Sequence, residues 1–275
     1  MPELPEVETV RRAIAPALEG RRLDGVEIFD ARLTRPFDPV EVAAELRGER
    51  VREVDRRGKY LIVRFDSGRA LLIHLRMTGS LRDSDLADDV HRRALLTLDD
   101  GTSVAYKDTR RFGTWLLLEP ESVEPYIAAR VGEEPLLPAF TARGLGERLR
   151  GRRAPLKAAL LDQRTLAGLG NIYVDEALWY AKLNPLREAG TLLPGELRRL
   201  HGAIRKALEL GLARQGSTLS DYRLPDGSSG TMQREFRAYG RTDEPCDRCG
   251  TMFAKTRVGG RSTWYCPACQ PGWCS

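Results

Sequence analysis

The chain has 275 residues, of which 41% are hydrophobic and 30% are charged, a balance typical of a folded globular protein and not of a disordered one. Its 44 Lys and Arg residues against 39 Asp and Glu give a net charge of +5, which fits a nucleic-acid surface and an ordinary solvated surface equally well. No run approaches the roughly 18 apolar residues of a membrane span, and the start MPELPEVETV lacks the pattern of a signal peptide. The sequence therefore predicts a cytoplasmic protein without a membrane partner, and its length favours two domains with or without an appendage.

The first predicted element is a helix that begins near Pro5 and ends before Gly20. Proline suits the first helical position, and Glu6 and Glu8 would lie in the first turn, where the helix dipole favours acidic groups. Apolar residues recur at helical spacing at Val7, Val10, Ile14 and Leu18.

Short strands are predicted between residues 21 and 118. YLIVRF and ALLIHL flank the turn sequence DSGR, and ALLTL and SVAYK flank DDGT, so each pair predicts a β-hairpin. This region is expected to form a β-sandwich or barrel behind the leading helix.

Helical patterns dominate the second half, at 121–130, 140–150, 155–162, 171–182 and 195–214. A polar loop at 216–233 follows, and loops of this length tend to be functional or mobile. Basic residues concentrate in this half, with a local net charge of +5 over 139–160 and +3 over 233–275. Such segments are consistent either with a surface that meets phosphates or with a flexible basic linker.

The segment GLGN at 168–171 lies between two helical patterns and is expected to open the second one. Its backbone N–H groups and the Asn171 side chain can hold a phosphate at a helix N-terminus, but an ordinary glycine-rich turn capped by asparagine has the same sequence. Both interpretations remain open at this point.

The cysteine spacing C-x2-C-x16-C-x2-C predicts a tetrahedral, structural zinc site. Its ligands would be Cys246, Cys249, Cys266 and Cys269. Two disulfides are the alternative, which a reducing cytoplasm disfavours. Between the cysteine pairs, TMFAKTRVGGRSTWY predicts two short strands around Gly259 and Gly260, with basic residues available for phosphates. The fifth cysteine, Cys274, is expected to be a free thiol.

The N-terminal residues could supply a nucleophilic amine. Removal of the initiator Met would give Pro2 a free secondary amine, and an α-amino group titrates near pH 8, so a useful fraction is nucleophilic at neutral pH. Such an amine condenses with an aldehyde carbon to an iminium, which acidifies the neighbouring C–H and permits β-elimination. Glu3 and Glu6 are available beside it as proton donors. Proline and glutamate at this position are equally consistent with a plain helix start.

Taken together, the motifs resemble the bacterial formamidopyrimidine-DNA glycosylase family, whose members excise oxidised purines such as 8-oxoguanine from DNA. The resemblance rests on MPELPEVETV, GKY at 58–60, HLRMTGSLR at 74–82, DTRRFG at 108–113, GLGNIYVDEALW at 168–179, YGR at 239–241 and the four cysteines, which occur in order. It spans essentially the whole chain. The sister family, endonuclease VIII, has Gly where Leu4 stands here.

The resemblance implies an α+β fold in three parts. These are an N-terminal catalytic β-sandwich domain with a leading helix (residues 1–120), a helical DNA-binding domain with a helix–two-turn–helix motif and a lesion-capping loop (121–234), and a zinc-finger β-hairpin (235–275). It further implies a monomer that carries one structural zinc ion and acts on damaged double-stranded DNA in the bacterial cytosol or nucleoid.

The resemblance also assigns catalytic residues: Pro2, Glu3, Glu6, Lys59 and Arg261. Pro2 corresponds to the Schiff-base nucleophile and Glu3 to the acid that acts on the deoxyribose ring oxygen. Glu6 corresponds to a supporting carboxylate and Lys59 to the lysine assigned to β-elimination. Arg261 corresponds to the arginine of the zinc hairpin that grips the phosphates beside the lesion and is assigned to δ-elimination.

The DNA-contacting positions implied by the resemblance are Met77, His91, Arg110, Phe112, Arg152, Lys157 and Asn171. Three of them, Met77, Arg110 and Phe112, match the side chains inserted into the duplex where the base leaves. A flipped base leaves a gap that apolar side chains can fill, while an arginine can hydrogen-bond the orphaned partner base. The alternative for Met77 and Phe112 is core packing, so their exposure is the test. The alternative for Arg110 is a plain surface charge.

Three departures from the family pattern are visible. Arg76 stands where the family often has Gly, Thr109 where Pro is usual, and the residues around Arg93 depart from a run rich in His and Val. They leave the predicted chemistry intact and bear on the opposite-base preference. Two other functions stay open on the sequence: an oxidised-pyrimidine glycosylase of endonuclease VIII type, and a non-catalytic module that binds damaged DNA.

Overall fold

The computed structural model of the chain describes residues 1–272, so Cys274, expected to be a free thiol, lies outside the described residues. The chain begins with helix α1 (Leu4–Leu18), in agreement with the sequence prediction. Pro5 lies in the first turn, and Glu3 and Glu6 form a reciprocal capping box that satisfies backbone N–H groups at the helix start. The helix ends where Gly20 takes a φ of 79°, in the left-handed region.

Eight strands form two antiparallel sheets in the first half of the chain. They are β1 (Leu23–Ile28), β2 (Val51–Arg57), β3 (Tyr60–Phe65), β4 (Ala70–His74), β5 (Gly79–Arg82), β6 (Arg92–Leu98), β7 (Ser103–Asp108) and β8 (Thr114–Leu118). One sheet has the order β1-β6-β7-β5 and the other β2-β3-β4-β8. The predicted hairpins are confirmed, since β3 pairs with β4 across DSGR and β6 pairs with β7 across DDGT.

The two sheets form a β-sandwich, and their inner faces share one hydrophobic core. Val26 and Leu96 enter it from the first sheet, and Leu61 and Val63 from the second. The rings of Tyr106 on β7 and Trp115 on β8 pack edge to face across the sandwich, with centroids 5.5 Å apart. The prediction of a sandwich or barrel is thereby settled in favour of the sandwich.

Helix α2 (Pro39–Leu46) was not anticipated within the predicted strand region. The side chain of Asp38 accepts a hydrogen bond of 2.7 Å from the N–H of Val40, and Pro39 lies in the first turn. The dipeptide Asp-Pro is therefore a helix-start signal that the sequence reading did not use. Of its eight residues, Val42 and Leu46 are buried.

The second half of the chain is helical, and each helix lies within a few residues of its predicted range. The helices are α3 (Pro120–Ala128), α4 (Ala142–Leu149), α5 (Leu156–Leu161), α6 (Asn171–Ala181) and α7 (Pro194–Ala213), followed by the hairpin of β9 (Ala254–Val258) and β10 (Arg261–Tyr265). Most of α6 is buried, and α7 approaches it so closely that a Cβ on Gly211 would lie 2.5 Å from the ring of Tyr173. Within residues 1–272, none of the helices has the length and apolarity that crossing a membrane requires.

The chain divides into two compact units. The first comprises residues 1–129 together with 214–231, and the second comprises 130–213 together with the chain from Met232 onward. The loop at 214–231 thus packs with the β-sandwich, although it follows α7 in sequence. These units describe packing, so the two boundaries between the three expected domains, at 120 and 234, stay predictions.

Candidate functional site

Two buried carboxylates lie at the start of α1, directly after Pro2. Pro2 is buried, whereas Met1 is 41% exposed. Glu3 is 3% exposed and Glu6 is 2% exposed. The backbone N–H of Glu3 donates a 2.9 Å hydrogen bond to Oε2 of Glu6. The structure therefore brings Pro2, Glu3 and Glu6 together at one helix end, as the sequence prediction requires.

The loop after α7 closes over Glu6. The backbone N–H of Ser217 donates a 2.8 Å hydrogen bond to Oε1 of Glu6. Gly216 is needed there, because its φ is 79° and a Cβ would lie 2.7 Å from Cγ of Glu6. Tyr222 and Leu224 of the same loop are buried in the sandwich core. The loop, expected to be polar, is anchored by apolar side chains that the sequence reading did not single out.

Lys59 lies in the turn between β2 and β3 and is 5% exposed. The neighbouring His74, at the end of β4, is 7% exposed and its Nδ1 lies 3.0 Å from the backbone N–H of Arg76. Burial, followed by the positive charges of Arg76 and Lys59, lowers the pKa of His74 to about 3. His74 is therefore neutral at physiological pH and accepts the bond from Arg76. Sequence reasoning missed this residue, although a histidine in the apolar strand ALLIHL is a usable signal.

The three side chains expected to enter DNA lie on two turns of the first unit. Met77 is half-buried in the turn between β4 and β5, while Arg110 and Phe112 are exposed between β7 and β8. Phe112 is 51% exposed, and the guanidinium carbon of Arg110 lies 4.8 Å from the centroid of its ring. Phe112 thus meets the exposure test and Met77 meets it in part, while the exposure of Arg110 fits both of its interpretations.

His91 is half-buried just before β6. Its Nδ1 lies 3.3 Å from a guanidinium nitrogen of Arg93, which is one of the positions that depart from the family pattern. The backbone N–H of His91 donates to the carboxylate of Asp89. This segment therefore carries positive charge beside the histidine that the sequence assigns to DNA.

In the second unit, Lys157 and Asn171 converge on one backbone carbonyl of the hairpin. Nζ of Lys157 lies 2.8 Å and Nδ2 of Asn171 lies 3.0 Å from the carbonyl oxygen of Ser262, the residue after Arg261. Lys157 is 0% exposed and also pairs with Asp175 at 2.7 Å. Burial raises the pKa of Asp175 to about 7, against the opposing charge of Lys157. Two side chains expected to contact DNA thus also support the hairpin.

Arg261 itself is exposed at the start of β10, after a tight turn in which Gly259 and Gly260 have φ values of 55° and 75°. Arg152, also assigned to DNA, is tethered at the surface by the carbonyl of Arg148 at 2.9 Å and by Asp162 at 3.2 Å. Within the second unit Arg261 is exposed, whereas Arg152 is half-buried. Arg261 is thus accessible for a phosphate, while Arg152 has partners within the protein.

A buried carboxylate that sequence reasoning missed connects α6 to the segment before the hairpin. Glu176, which is 0% exposed, accepts hydrogen bonds from the backbone N–H groups of Arg237, Ala238 and Tyr239 at 2.8 to 2.9 Å. Burial raises its pKa, and the three donors oppose the rise. The pair of acids in the apolar helix sequence IYVDEALW was the available signal.

The four cysteines form a metal site. Their Sγ atoms lie within 4.8 Å of one another. The Cys246–Cys269 separation is 4.0 Å, and Cys249 lies 3.5 Å from both Cys266 and Cys269. A tetrahedral zinc ion with Zn–S bonds near 2.3 Å holds sulfurs about 3.8 Å apart, whereas a disulfide needs about 2.05 Å. The donor set therefore fits one structural zinc and excludes the two-disulfide alternative.

Comparison with known proteins identifies the family of the chain. Three family models match in order: the formamidopyrimidine-DNA glycosylase N-terminal domain over residues 1–115, its H2TH domain over 131–223, and the zinc finger found in FPG and IleRS over 243–272. The fold and site therefore define a DNA glycosylase that ends in a zinc finger.

Individual relatives show which kind of DNA glycosylase the chain resembles. The formamidopyrimidine-DNA glycosylase of Symbiobacterium thermophilum is 47% identical over 275 residues, covering 98% of this chain and 90% of the relative. Two Lactococcus lactis structures, a mutant enzyme with DNA containing Fapy-dG and an enzyme with DNA containing an abasic site, superpose with TM-scores of 0.92 and 0.91 at 37% and 36% identity. Each covers 98% of this chain and 100% of the other. The chain belongs to the formamidopyrimidine-DNA glycosylase family, and it is a base excision repair glycosylase with lyase activity.

Proposed function

We propose that this protein flips oxidised purines, such as 8-oxoguanine and formamidopyrimidines, out of duplex DNA, removes them, and nicks the strand by β,δ-elimination through Pro2. The observation that carries the proposal is the cluster of Pro2 with two buried carboxylates, Glu3 and Glu6, in a chain of this family. The Lactococcus lactis neighbours bind DNA with Fapy-dG or an abasic site, which supports the same class of substrate.

The chemistry begins at the amine of Pro2, once Met1 has been removed. The nitrogen lone pair forms a bond to C1′ of the damaged nucleotide, the glycosidic bond breaks, and the base leaves with a proton. Glu3 donates a proton to the ring oxygen, so the sugar opens and an iminium forms between Pro2 and C1′. The iminium acidifies C2′–H, so loss of that proton breaks the C3′–O3′ bond and releases the 3′ phosphate. Loss of a proton from C4′ of the resulting conjugated iminium then breaks the C5′–O5′ bond and releases the 5′ phosphate. Water hydrolyses the remaining iminium and restores the amine of Pro2.

Glu6 acts as the support of this centre. Its Oε2 accepts from the N–H of Glu3, and its Oε1 accepts from the N–H of Ser217, so it fixes the helix start against the loop at 216–217. A carboxylate held by backbone N–H groups keeps its orientation, because both oxygens have fixed donors. Glu3 is thereby oriented for proton transfer.

Lys59 and Arg261 supply positive charge to the elimination steps. Lys59 assists β-elimination and contacts a phosphate, and Arg261 grips the phosphates on either side of the lesion and assists δ-elimination. Phosphate contacts position a protein on DNA without reading its sequence. His91, Arg152, Lys157 and Asn171 add contacts of this kind. We further propose that the protein acts as a monomer in the bacterial cytoplasm, where its DNA substrate lies.

Met77, Arg110 and Phe112 fill the duplex where the base leaves. Extruding a base costs a few kcal/mol of stacking and pairing, and inserted side chains recover part of this cost. Arg110 faces the orphaned base, while Met77 and Phe112 stack on the neighbouring bases.

Borohydride trapping tests the proposal, because an iminium is reduced to a stable amine. The processed protein should give a covalent adduct with duplex bearing 8-oxoguanine, and intact-mass measurement should show that Met1 is absent. Pro2→Gly should lower the adduct yield on the order of tenfold or more. Equal trapping with a chemically blocked N-terminus would move the nucleophile elsewhere, for example to Lys59.

The same assay separates the alternative functions. Matched duplexes that carry 8-oxoguanine or an oxidised pyrimidine compare the two lesion classes directly. A clear preference for the pyrimidine would favour an endonuclease VIII type of enzyme. Binding without any cleavage by the processed protein would favour a non-catalytic module.

A further inference from the structure

The carboxylate of Asp108, at the end of β7, joins two turns that are separate in sequence. Asp108 is 1% exposed. Its Oδ1 accepts a short hydrogen bond from the hydroxyl of Thr78 and a 3.2 Å bond from the N–H of Arg110. Its Oδ2 accepts a 2.7 Å bond from the N–H of Gly113. The donors thus lie on both turns that carry the side chains proposed to enter DNA.

The hydroxyl of Thr78 adds a direct hydrogen bond between the two turns. It donates to Asp108 and accepts a 3.0 Å hydrogen bond from the N–H of Arg110. Thr78 directly follows Met77, and Arg110 and Gly113 bracket Phe112. A change in the position of one turn therefore disturbs hydrogen bonds of the other.

The ring of Tyr106 packs directly beneath both turns. Tyr106 packs so closely beneath them that a Cβ on Gly79 or Gly113 would lie 2.2 Å or 1.7 Å from its hydroxyl oxygen. Only glycine fits at either position, and each glycine lies beside one of the turns. Burial, followed by the charge of Asp108, raises the pKa of Tyr106, so its phenol stays neutral.

An ion pair of Arg111 with Asp30 holds the turn that carries Arg110 and Phe112. Arg111, between Arg110 and Phe112, has a φ of 58° and its guanidinium pairs with the buried Asp30, with one N–O distance of 2.7 Å. This pair holds Arg111, and its two neighbours are exposed at the surface. The backbone of Asp108 is anchored as well, by the carbonyl of His91 and the guanidinium of Arg93.

We propose that Asp108 is a positioning residue that locks the Met77 turn and the Arg110–Phe112 turn to each other, so that the three side chains enter the duplex as one preformed wedge. The inference rests on the function proposed above for these three side chains. Asp108 is buried beneath the turns and acts through the side chains it orients. A preformed wedge loses less conformational freedom on insertion than two independent turns would lose.

Asp108→Asn and Thr78→Val test the proposal, since each breaks the link with little change in shape. Excision of 8-oxoguanine opposite cytosine should fall on the order of 10- to 100-fold, because small misplacements of positioning groups have effects of this size. Cleavage at a preformed abasic site should change by less than about threefold, because no paired base has to be extruded there. A fluorescent 2-aminopurine beside the lesion should report reduced unstacking in both variants.

Two control variants sharpen the comparison. Asp100→Asn removes a similar carboxylate, which accepts from the hydroxyl of Thr102 at 2.6 Å and its N–H at 3.0 Å in the turn at the opposite end of β7, and should leave both activities unchanged. Thr78→Ser keeps the hydroxyl and should restore excision. If Asp108→Asn does not fold, the Thr78→Val and Thr78→Ser pair decides alone.

The outcomes that overturn the inference differ from those that overturn the function. Equal losses on the lesion and the abasic site, or full excision by folded Thr78→Val, would refute the positioning role of Asp108. A wild-type protein inactive on both substrates would refute the proposed function and the inference with it.

Discussion

Two equally buried carboxylates, Glu3 and Glu6, lie at the start of α1. Glu6 has donors on both oxygens, from the backbones of Glu3 and Ser217, so it is committed to holding structure. Glu3 lies directly after Pro2 and is equally buried. These contacts support the proposed role of Glu6 as a supporting carboxylate, while the proton transfer proposed for Glu3 rests on the family resemblance.

Glu3→Gln should abolish base excision while binding to damaged duplex stays within about threefold of wild type, because the change removes a proton donor and keeps the shape. Single-turnover excision and a binding titration on the same 8-oxoguanine duplex measure the two effects. As a control, Glu27→Gln removes an exposed carboxylate from β1 and should change neither quantity. Full excision by Glu3→Gln would contradict the acid assignment.

The backbone conformation at Arg76 explains why glycine is common at this position in the family. Its φ of 54° lies in the left-handed region, where glycine is free of strain and a residue with a Cβ is not. The family's glycine at this position thus suits the turn before Met77. Here the turn keeps the conformation with an arginine, whose N–H is held by Nδ1 of His74.

Among the structural elements, the zinc hairpin has only a small core of its own. Its buried cluster combines Cys246, Cys266 and Phe253 with Trp179 of α6 and Ala238. Two five-residue strands bury too little surface to fold alone, so the metal supplies much of the folding free energy. Arg261 depends on this hairpin for its position.

Chelation of the zinc, or Cys249→Ser, should abolish DNA binding and nicking while the β-sandwich stays folded, because collapse of the hairpin removes Arg261. Metal analysis should find one zinc per chain, and circular dichroism should show retained strand signal. Cys274→Ser, which changes a cysteine outside the four ligands, is the matched control. Full nicking of 8-oxoguanine duplex by a metal-free protein would refute the role given to Arg261.

At the scale of the whole molecule, positive charge is uneven along the chain. The total is only +5, yet residues 139–160 alone carry a net +5 and residues 233–275 a net +3. Both segments belong to the second compact unit, apart from the last residues that the structure does not describe. Phosphate contacts of this kind release counterions from DNA, so binding should weaken steeply with salt.

Removing one phosphate contact should lower the slope of log K against log salt concentration by about 0.9. Arg261→Gln should show this decrease on an uncleavable abasic-analogue duplex, whereas Glu3→Gln should not. Arg22→Gln, which changes an exposed arginine of the first unit paired with Asp24, controls for total charge. An unchanged slope for Arg261→Gln would remove Arg261 from the phosphate contacts.

Local signals in the sequence were sufficient to predict most helices and strands, the zinc ligands and the family, although helix α2 was missed. Hydrophobic period set α1 and α7, turn residues set both hairpins, and cysteine spacing set the metal site. Motifs in fixed order carried the resemblance. The candidate catalytic and DNA-contacting residues came from that resemblance, and their roles stay predictions.

Only the tertiary structure decided which distant residues meet. It brought Ser217 to Glu6, the carbonyl of Ser262 to Lys157, and Thr78 to Asp108, pairs separated by 30 to 211 positions along the chain. No local pattern encodes such contacts, because a buried polar group is satisfied by whichever donor the packing brings near. His74 and Glu176 left a signal in the sequence as polar residues within apolar segments, whereas the contacts of Asp108 became visible only once the chain was folded.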